Sequence, residues 1–529
     1  MTSGPAARPS VTRPRQVVVV GHGMVGSRFV DEVVARDRAG DLHITVLGAE
    51  PYGPYNRVLL SEVVAGRADV AALALAAAPA SKTVDVHIGV AAVSVDRRAR
   101  TVVADDGRAH PYDLLVLATG ARPVVPPLAG LEAEGTVGGV RTFRSIDDCR
   151  EIVAASANAR TADVQGGGVL GVEAARGLAA RDLDVTLVHP AEHPLDRQLD
   201  AGAGFVLAQA LRGLGVRLRL GAVAAGVEVT DGHSRALVLA DGQRLPADLL
   251  VLACGVRPEA RLVDDLTGPT GGVVVDDRMH AIGDPSVAAI GDCAEHRGVA
   301  AGLVAPGWEQ SRVLADLVTA TDGQARFAGT RPVLRLKAAD LDVAAAGAPA
   351  DLAADPWTAG PGTQVVQLVD PARVVYVKVV LRDDRVVAAT VVGAPRTASE
   401  LLLHLERGTP APLGRATLLL PQERGTAAAA ADPTRIPDRA TICRCNGVTK
   451  GAIVAAFGTG ARSLETLAAR TRATTGCGSC ADTCAGLLSW LKDADAPPAS
   501  APPPVPDPPT PVQAPGDSYL HTAPTGGIR

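Results

Sequence analysis

Hydrophobic positions along the chain fall into short, fully apolar runs. Val17–Val20, in "RQVVVVGHGMVGSRFVDEVVARD", is an unbroken β-branched run, the pattern of a parallel strand buried on both faces. An amphipathic stretch follows at once, and then a second run, "HITVLGAE", ending near Glu50. This predicts a strand, a helix and a strand. The same pattern returns about 145 residues later, where "TADVQ" leads into "VEAARGLAARD" and "VTLVHP". Two further segments are near-repeats, "YDLLVLATGARP" (112–123) and "ADLLVLACGVRP" (247–258); each is an apolar strand, a small residue before glycine, and Arg-Pro. They predict two crossings between two nested α/β units. "DPSVAAIGDCAEH" supplies another buried strand ending at Gly291-Asp292. From about 331 the pattern changes. "VVYVKVVLRDDRVVAATVVG" predicts two antiparallel strands turning at Asp383-Asp384, within an α+β unit.

Glycines sit where both βα turns are expected. Gly21, Gly23 and Gly26 follow the first strand, and Gly166, Gly168 and Gly171 the second, each as G-x-G-x-x-G. In that context the first glycine permits the tight turn, the second lets a pyrophosphate approach the backbone, and the third lets helix and strand pack closely. Glu50, 24 residues past Gly26, stands near where an acid holds a ribose hydroxyl. His22 reads as a spacer in the phosphate loop. Two positions break the pattern of the second unit. Asp163 and Gln165 are two apart on a strand, so they share a face that should be apolar. Either that face is wet or the domain is altered. His189 stands where an acid selecting NADH is expected, which leaves NADH and NADPH unseparated.

Composition narrows the function classes. A net charge of -5 and 2% aromatic residues exclude a basic or base-stacking nucleic-acid surface. No apolar run approaches the roughly 20 residues that span a bilayer, and "MTSGPAARPSVTRPRQ" has no apolar core of a secretory signal. The expectation is a soluble cytoplasmic protein without a membrane partner. Eleven of the 39 prolines fall in the last 37 residues, so 493–529 is expected to be a disordered spacer, as is 1–14.

Four of the eight cysteines cluster in a C-x-C…C-x-x-C pattern, Cys443, Cys445, Cys477 and Cys480. In a reducing compartment such a set points to metal rather than disulfides. Structural zinc prefers two C-x2-4-C pairs. Glycines beside the thiols suit an iron–sulfur centre, whose sulfurs accept backbone N–H groups. Cys484, at helical spacing from Cys477 and Cys480, reads as packing under the site. Cys149, Cys254 and Cys293 read as isolated core residues. Trp308-Glu309-Gln310 reads as a helix start after Pro306-Gly307.

The order of these motifs resembles the two-dinucleotide flavoprotein disulfide-reductase fold, of the ferredoxin- and nitrite-reductase branch. "PYGPYNRVLLSEVVAG" (51–66) is similar to the segment by which that branch lines its flavin. "FRSIDDCREI" (143–152) and "DRQLD" (196–200) resemble the NAD(P)H nitrite reductase large-subunit family, and the cysteine segment resembles the bacterioferritin-associated ferredoxin type of [2Fe-2S] domain. The resemblance implies an α/β fold of two nested Rossmann-like units, an α+β domain and a small helical [2Fe-2S] domain. The implied limits are 15–122 with 254–325 for FAD, 123–253 for NAD(P)H, 331–425 for the α+β domain and 434–491 for the cluster. It implies that Gly21, Gly23 and Gly26 hold the FAD pyrophosphate, Glu50 its ribose, with Arg57 near the flavin or its phosphates. Ala118, Thr119 and Gly120 would line the crossing, Gly291 and Asp292 the ribityl chain, and Trp308-Glu309-Gln310 would cover the cofactor. Gly166, Gly168 and Gly171 would hold NAD(P)H, with Glu173 near the nicotinamide as the catalytic residue. Cys443, Cys445, Cys477 and Cys480 would ligate the cluster. That family continues into a sirohaem domain, for which the remaining cysteines here are too scattered. The implied activity is therefore electron transfer from NAD(P)H through FAD and [2Fe-2S] to a separate catalytic nitrate or nitrite reductase. A stand-alone ferredoxin- or rubredoxin-type reductase or NADH oxidase, and an iron-binding regulatory module, are the alternatives.

Overall fold

The structure is a computed structural model that describes residues 13–75, 82–131, 137–331, 333–336, 338, 340–420, 436–443, 446–475 and 480–495. Cys445, Cys477 and nearly all of both terminal segments expected to be disordered lie outside these residues. The last helix, Ala481–Asp495, carries three residues into the segment expected to be tail.

The first unit is built as its hydrophobic pattern demands. β1 (Arg15–Val20), α1 (Met24–Arg36) and β2 (Leu42–Gly48) form a parallel βαβ turn. β1 is central because Val17–Val20 are buried on both faces. It pairs with β2 on one side and with Leu114–Leu117 on the other, inside an eight-stranded sheet. The strands of that sheet come from 15–117 and from 273–296, so the chain leaves the unit and returns to it.

The excursion is the second unit. β3 (Thr161–Gln165), α2 (Val169–Ala179) and β4 (Asp184–His189) repeat the βαβ turn in a five-stranded parallel sheet. The two near-repeat segments pair with each other, Ala121–Pro123 antiparallel to Val256–Pro258, where the chain crosses between units. The cysteines of these units differ: Cys149 and Cys293 are buried core residues, whereas Cys254, at the second crossing, is only half-buried.

The face bearing Asp163 and Gln165 is dry at Asp163, which is 1% exposed. An antiparallel three-stranded layer, Ala224–Thr230, His233–Leu239 and Arg244–Pro246, covers it with Leu237, Leu239 and Leu245. Asp163 pairs in register with Thr186, which hydrogen-bonds its carboxyl. Thr186 Oγ1 in turn accepts from Arg217 Nε at 3.4 Å, next in register on the edge strand. The second carboxyl oxygen of Asp163 has no protein partner. A polar ladder thus runs inward from the sheet edge and ends on a buried acid.

Residues 333–418 form a five-stranded antiparallel sheet with helix Pro395–Arg407 packed on it through Leu401, Leu402 and Leu405. The turn between Val375–Arg382 and Arg385–Val392 has Asp383 and Asp384 at φ 49° and 57°, the left-handed pair that matches strand twist in a tight hairpin. This domain is tied to the second unit by a buried ion pair. Lys378 Nζ donates to Asp200 Oδ2 at 2.7 Å and Tyr376 Oη to the same oxygen at 2.8 Å. Asp200 also caps helix Ala201–Gly213. The "DRQLD" segment is therefore an interdomain anchor. The cysteine domain is a short hairpin, Thr441–Cys443 with Val448–Thr449, followed by helices Lys450–Gly458, Leu464–Thr471 and Ala481–Asp495. Among the described residues no helix is long and apolar enough to cross a membrane.

Two stability predictions follow from the buried charges. Burial pushes the Asp163 carboxyl up to about 7, against the Thr186 hydrogen bond. Between pH about 4 and about 7 the unfolded chain has released a proton that the folded chain keeps, so stability falls as pH rises through this window. The shift corresponds to a loss on the order of 4 kcal/mol. Asp163→Asn should remove that slope, raising the melting temperature at pH 8 while changing it little at pH 4. Parallel pH profiles for the two proteins would contradict this. Lys378→Met leaves the half-buried Asp200 without its cation and should cost on the order of 3 kcal/mol by denaturant unfolding.

Candidate functional site

The first glycine loop is shaped by two close approaches. Gly21 has φ +109°, and a Cβ there would lie 2.2 Å from the Ala118 carbonyl oxygen; a Cβ at Gly26 would lie 2.0 Å from the Gly21 carbonyl oxygen. Both positions are closed to any side chain. Gly23 differs: it has ordinary extended geometry, and the one neighbouring atom within 4 Å of a Cβ would be Arg57 Nε, at 4.0 Å. Gly23 is also the N-cap of α1, and no side chain caps that helix. The first-turn amides therefore face an open cradle at a positive helix end, which is what a pyrophosphate requires. Arg57 stacks over the Tyr55 ring at 4.7 Å and pairs with Glu50, which also accepts from Tyr55 Oη at 2.7 Å. Glu50 and Arg57 thus meet beside the cradle, each occupied by the other.

The crossing and the later strand close the same space. The Thr119 hydroxyl donates to the Glu259 carbonyl, and Gly120 has φ +73°. Arg144, from "FRSIDDCREI", reaches Asp292 Oδ2 with Nη2 at 2.8 Å and the Ala121 carbonyl with Nε at 3.2 Å. The rest of that segment is helix Ile146–Ser156, started by a Ser145–Asp148 capping box. Gly291 N–H donates to Gln310 Oε1 at 2.7 Å. Gln310 and Trp308 lie on α3 (Val304–Val318), which begins before Pro306 rather than after Gly307 because proline is tolerated in a first turn. Trp308 is buried and donates to the Met24 carbonyl at 3.3 Å, joining α3 to the start of α1.

The second loop duplicates the first. Gly166 has φ +115° with the Ala253 carbonyl oxygen 2.3 Å from a Cβ, and at Gly171 a Cβ would meet the Gly166 carbonyl oxygen at 1.8 Å. Gly168 caps α2 without a side-chain bond and has nothing within 4 Å of a Cβ. One exchange distinguishes the loops. In the first, His22 packs on Gly48 at the end of β2; in the second, Gly167 packs on His189 at the end of β4. The histidine that fills this slot comes from the loop in one unit and from the strand in the other. His22 is pushed below the usual imidazole range by burial, consistent with a filler. His189 accepts the Gly167 N–H on Nδ1 at 3.1 Å and contacts Asp196 through Nε2 at 3.0 Å. His189 therefore braces the loop. Gly21 bonds Leu47 and Gly166 bonds Val188, a register that matches Glu50 with Ala191, not with His189. Glu173 is buried on α2, which packs on helix Leu60–Val64 in the seam between the units.

Of the four clustered cysteines, Cys443 and Cys480 are described. They are 2% and 6% exposed and lie beside each other, the Cys443 thiol toward Cys480, with Cys484, 0% exposed, against Cys480. The contact with Cys480, then burial, pushes the Cys443 thiol far up. Cys480 stands at about 11: the contact with Cys443 pulls it down, and Cys484 and burial push it up. Backbone groups of Asn446 and Thr474 are turned toward the Cys443 sulfur, the surroundings an iron–sulfur thiolate needs. Among the described residues no group of three or more is arranged as a metal site. Cys484 packs with Leu487 and Leu488 beneath the pair.

A family profile described as Pyridine nucleotide-disulphide oxidoreductase matches residues 15–317. The chain belongs to that family. A second profile, the BFD-like [2Fe-2S] binding domain, matches residues 441–490. The chain is thus an oxidoreductase whose cofactors are FAD, NAD(P)H and a [2Fe-2S] cluster. Both glycine cradles and the paired thiols fit those groups. A nitrite reductase [NAD(P)H] from Bacillus subtilis is 35% identical over 473 residues, 88% of this chain and 56% of that protein. The assimilatory nitrate reductase electron transfer subunit of the same organism is 31% identical over 492 residues, 91% of this chain and 60% of that one. The chain therefore spans little more than half the length of these relatives. Among solved structures, a NAD-dependent persulfide reductase from A. fulgidus superimposes with a TM-score of 0.65 at 28% identity, covering 75% of this chain and 77% of that one. The putidaredoxin reductase–putidaredoxin complex gives 0.66 at 26%, covering 75% and 94%.

The cradles allow folding and binding to be separated. Gly168→Ala adds a methyl group where no protein atom stands, so thermal stability should change by less than about 1 kcal/mol. Nicotinamide binding, measured by titration, should weaken on the order of tenfold or more. Gly171→Ala, which drives a Cβ into the Gly166 carbonyl, should instead destabilise the fold. Equal stability losses for both variants would contradict the cradle geometry.

Proposed function

We propose that this oxidoreductase is an electron-transfer component that carries electrons from NAD(P)H to a separate catalytic nitrate or nitrite reductase, in the cytoplasm. Bound there, FAD would supply the conversion between the two-electron hydride of NAD(P)H and the one-electron steps of a [2Fe-2S] cluster. The observation that carries this reading is the pairing, in one chain, of two uncapped glycine cradles with a buried cysteine set. Gly21, Gly23 and Gly26, on the unit formed by 15–122 and 254–325, hold the FAD pyrophosphate, and Arg57 offsets its charge. Ala118, Thr119, Gly120, Gly291 and Asp292 line the rest of that site, with Arg144 fixing Asp292. Gly166, Gly168 and Gly171, on 123–253, hold NAD(P)H, and Glu173 in the seam orients its nicotinamide end. Cys443, Cys445, Cys477 and Cys480, on 434–491, are the cluster ligands. The α+β domain at 331–425 anchors the second unit through Asp200.

A disulfide reductase or oxidase working alone requires a reactive cysteine at the flavin. Cys149 contacts the Leu60 carbonyl at 3.6 Å, and Cys293 the Leu117 and Ile290 carbonyls at 3.3 Å. Burial raises both thiols, which makes them poor nucleophiles. The partners named for the relatives supply the choice of acceptor here.

Anaerobic mixing with NADH and then NADPH tests the reading. At least one should bleach the visible flavin absorbance and then raise the paramagnetic signal of a reduced cluster. Cys443→Ser should keep the bleaching and lose transfer to an added nitrate or nitrite reductase. No bleaching by either nucleotide would overturn the proposal.

A further inference from the structure

Arg28 is a cation in an unusually enclosed place. It lies one turn into α1, with a side chain 10% exposed. Its guanidinium lies 5.8 Å from the centre of the Trp308 ring, and Nε pairs with Glu32 at 2.5 Å. Its remaining reach goes out of the flavoprotein unit. Nη1 donates to Asn446 Oδ1 in the cysteine domain at 2.9 Å.

Asn446, itself 8% exposed, is the hub on the other side. Its Nδ2 donates to the Arg472 carbonyl at 2.6 Å and to Thr475 Oγ1 at 3.3 Å, and lies 3.7 Å from Cys443 Sγ. One amide therefore holds Arg28, the loop that leads to Cys477, and the first cluster cysteine. Two more contacts fix the same seam. Arg472 pairs with Asp31 of α1, and Asn56 Nδ2 donates to the Thr475 carbonyl at 2.7 Å. Arg312 Nη1, from α3, stands 3.5 Å from where a Cβ of Gly447 would be.

Every anchor on the flavoprotein side adjoins the first cradle. Gly23 is the N-cap of α1, Asn56 precedes Arg57, and α3 carries the Gln310 that holds Gly291. The seam thus joins the walls of one cofactor site to the ligand loop of the other. An electron added to a cluster makes it more negative. A buried cation nearby favours that state more strongly than it would in water.

We propose that Arg28 is a positioning residue for transfer between the two cofactor sites: through Asn446 it locks the Cys443 loop against the helix of the first cradle, and its buried charge raises the cluster's reduction potential. The proposal rests on the NAD(P)H–FAD–[2Fe-2S] reading. One electron at a time crosses the seam, the donor losing what the acceptor gains, and Arg28 itself makes and breaks no covalent bond.

The test uses the full chain carrying both cofactors, with Arg28→Met and Arg28→Lys. In Arg28→Met, hydrogen exchange should quicken in peptides covering 446–449 and 472–475. A redox titration followed by electron paramagnetic resonance should place the cluster at a lower potential. In stopped flow, flavin bleaching by NAD(P)H should stay within about twofold, while cluster reduction slows on the order of tenfold or more. Arg28→Lys should recover the potential. A purely structural role for Arg28 would leave the potential unmoved, and that result would overturn the proposal. So would unchanged cluster reduction. If Arg28→Met does not fold, Arg472→Met cuts the neighbouring tie to Asp31 and should give the same split between flavin and cluster rates; equal rates to the parent would overturn the docking. Failure of the unaltered protein to reduce its cluster with NAD(P)H would sink the functional reading instead. The exchange and potential measurements need no nucleotide and judge Arg28 alone.

Discussion

The contact on which the rest of this protein depends is that between backbone and backbone in two glycine loops. At Gly26 and at Gly171 the helix approaches the preceding turn so closely that no side-chain atom fits between them. That approach sets each helix directly behind its strand and aims its first amides at open space. Gly23 and Gly168 keep that space free, since neither helix has a side-chain cap. Each uncapped helix start thus offers backbone amides and a positive helix end to an anionic group, with no side chain required.

Around these two fixed points the units have diverged through neighbours. The slot beside each loop is filled by a histidine, contributed by the loop in the first unit and by the strand end in the second. Arg57 reaches to 4.0 Å of a Cβ at Gly23, whereas among the described residues no atom comes within 4 Å of a Cβ at Gly168. The second unit also carries the buried Asp163, and it is held to the α+β domain by the Asp200–Lys378 pair. The cysteine domain, in contrast, meets the first unit, through polar contacts centred on Asn446. The second unit, the first unit and the cysteine domain are therefore joined in series.

Much of this was legible in the sequence. The β-branched runs, the glycine spacing and the repeated crossing segment specify two dinucleotide units because strand burial and backbone approach are local demands, met by residues within one turn of each other. The cysteine spacing likewise pointed to the [2Fe-2S] domain that the family profile matches over residues 441–490. The tight hairpin at Asp383-Asp384 follows from the same kind of local rule.

What the sequence could not decide involves partners far apart in the chain. His189 looked like a cofactor-selecting position, but the pairing register matches Ala191 with Glu50 and makes His189 a brace for Gly167. Asp163 left open a wet face or an altered domain, and a layer formed some 70 residues later buries it. "DRQLD" gave no hint that Asp200 would meet Lys378, nor "SRFVDE" that Arg28 would reach Asn446, 418 residues away. Local pattern determined the elements and the cradles, because backbone geometry and period act over a few residues. Tertiary structure alone decided which charges are buried and whom they meet, because burial and pairing depend on surfaces that exist only once the domains pack.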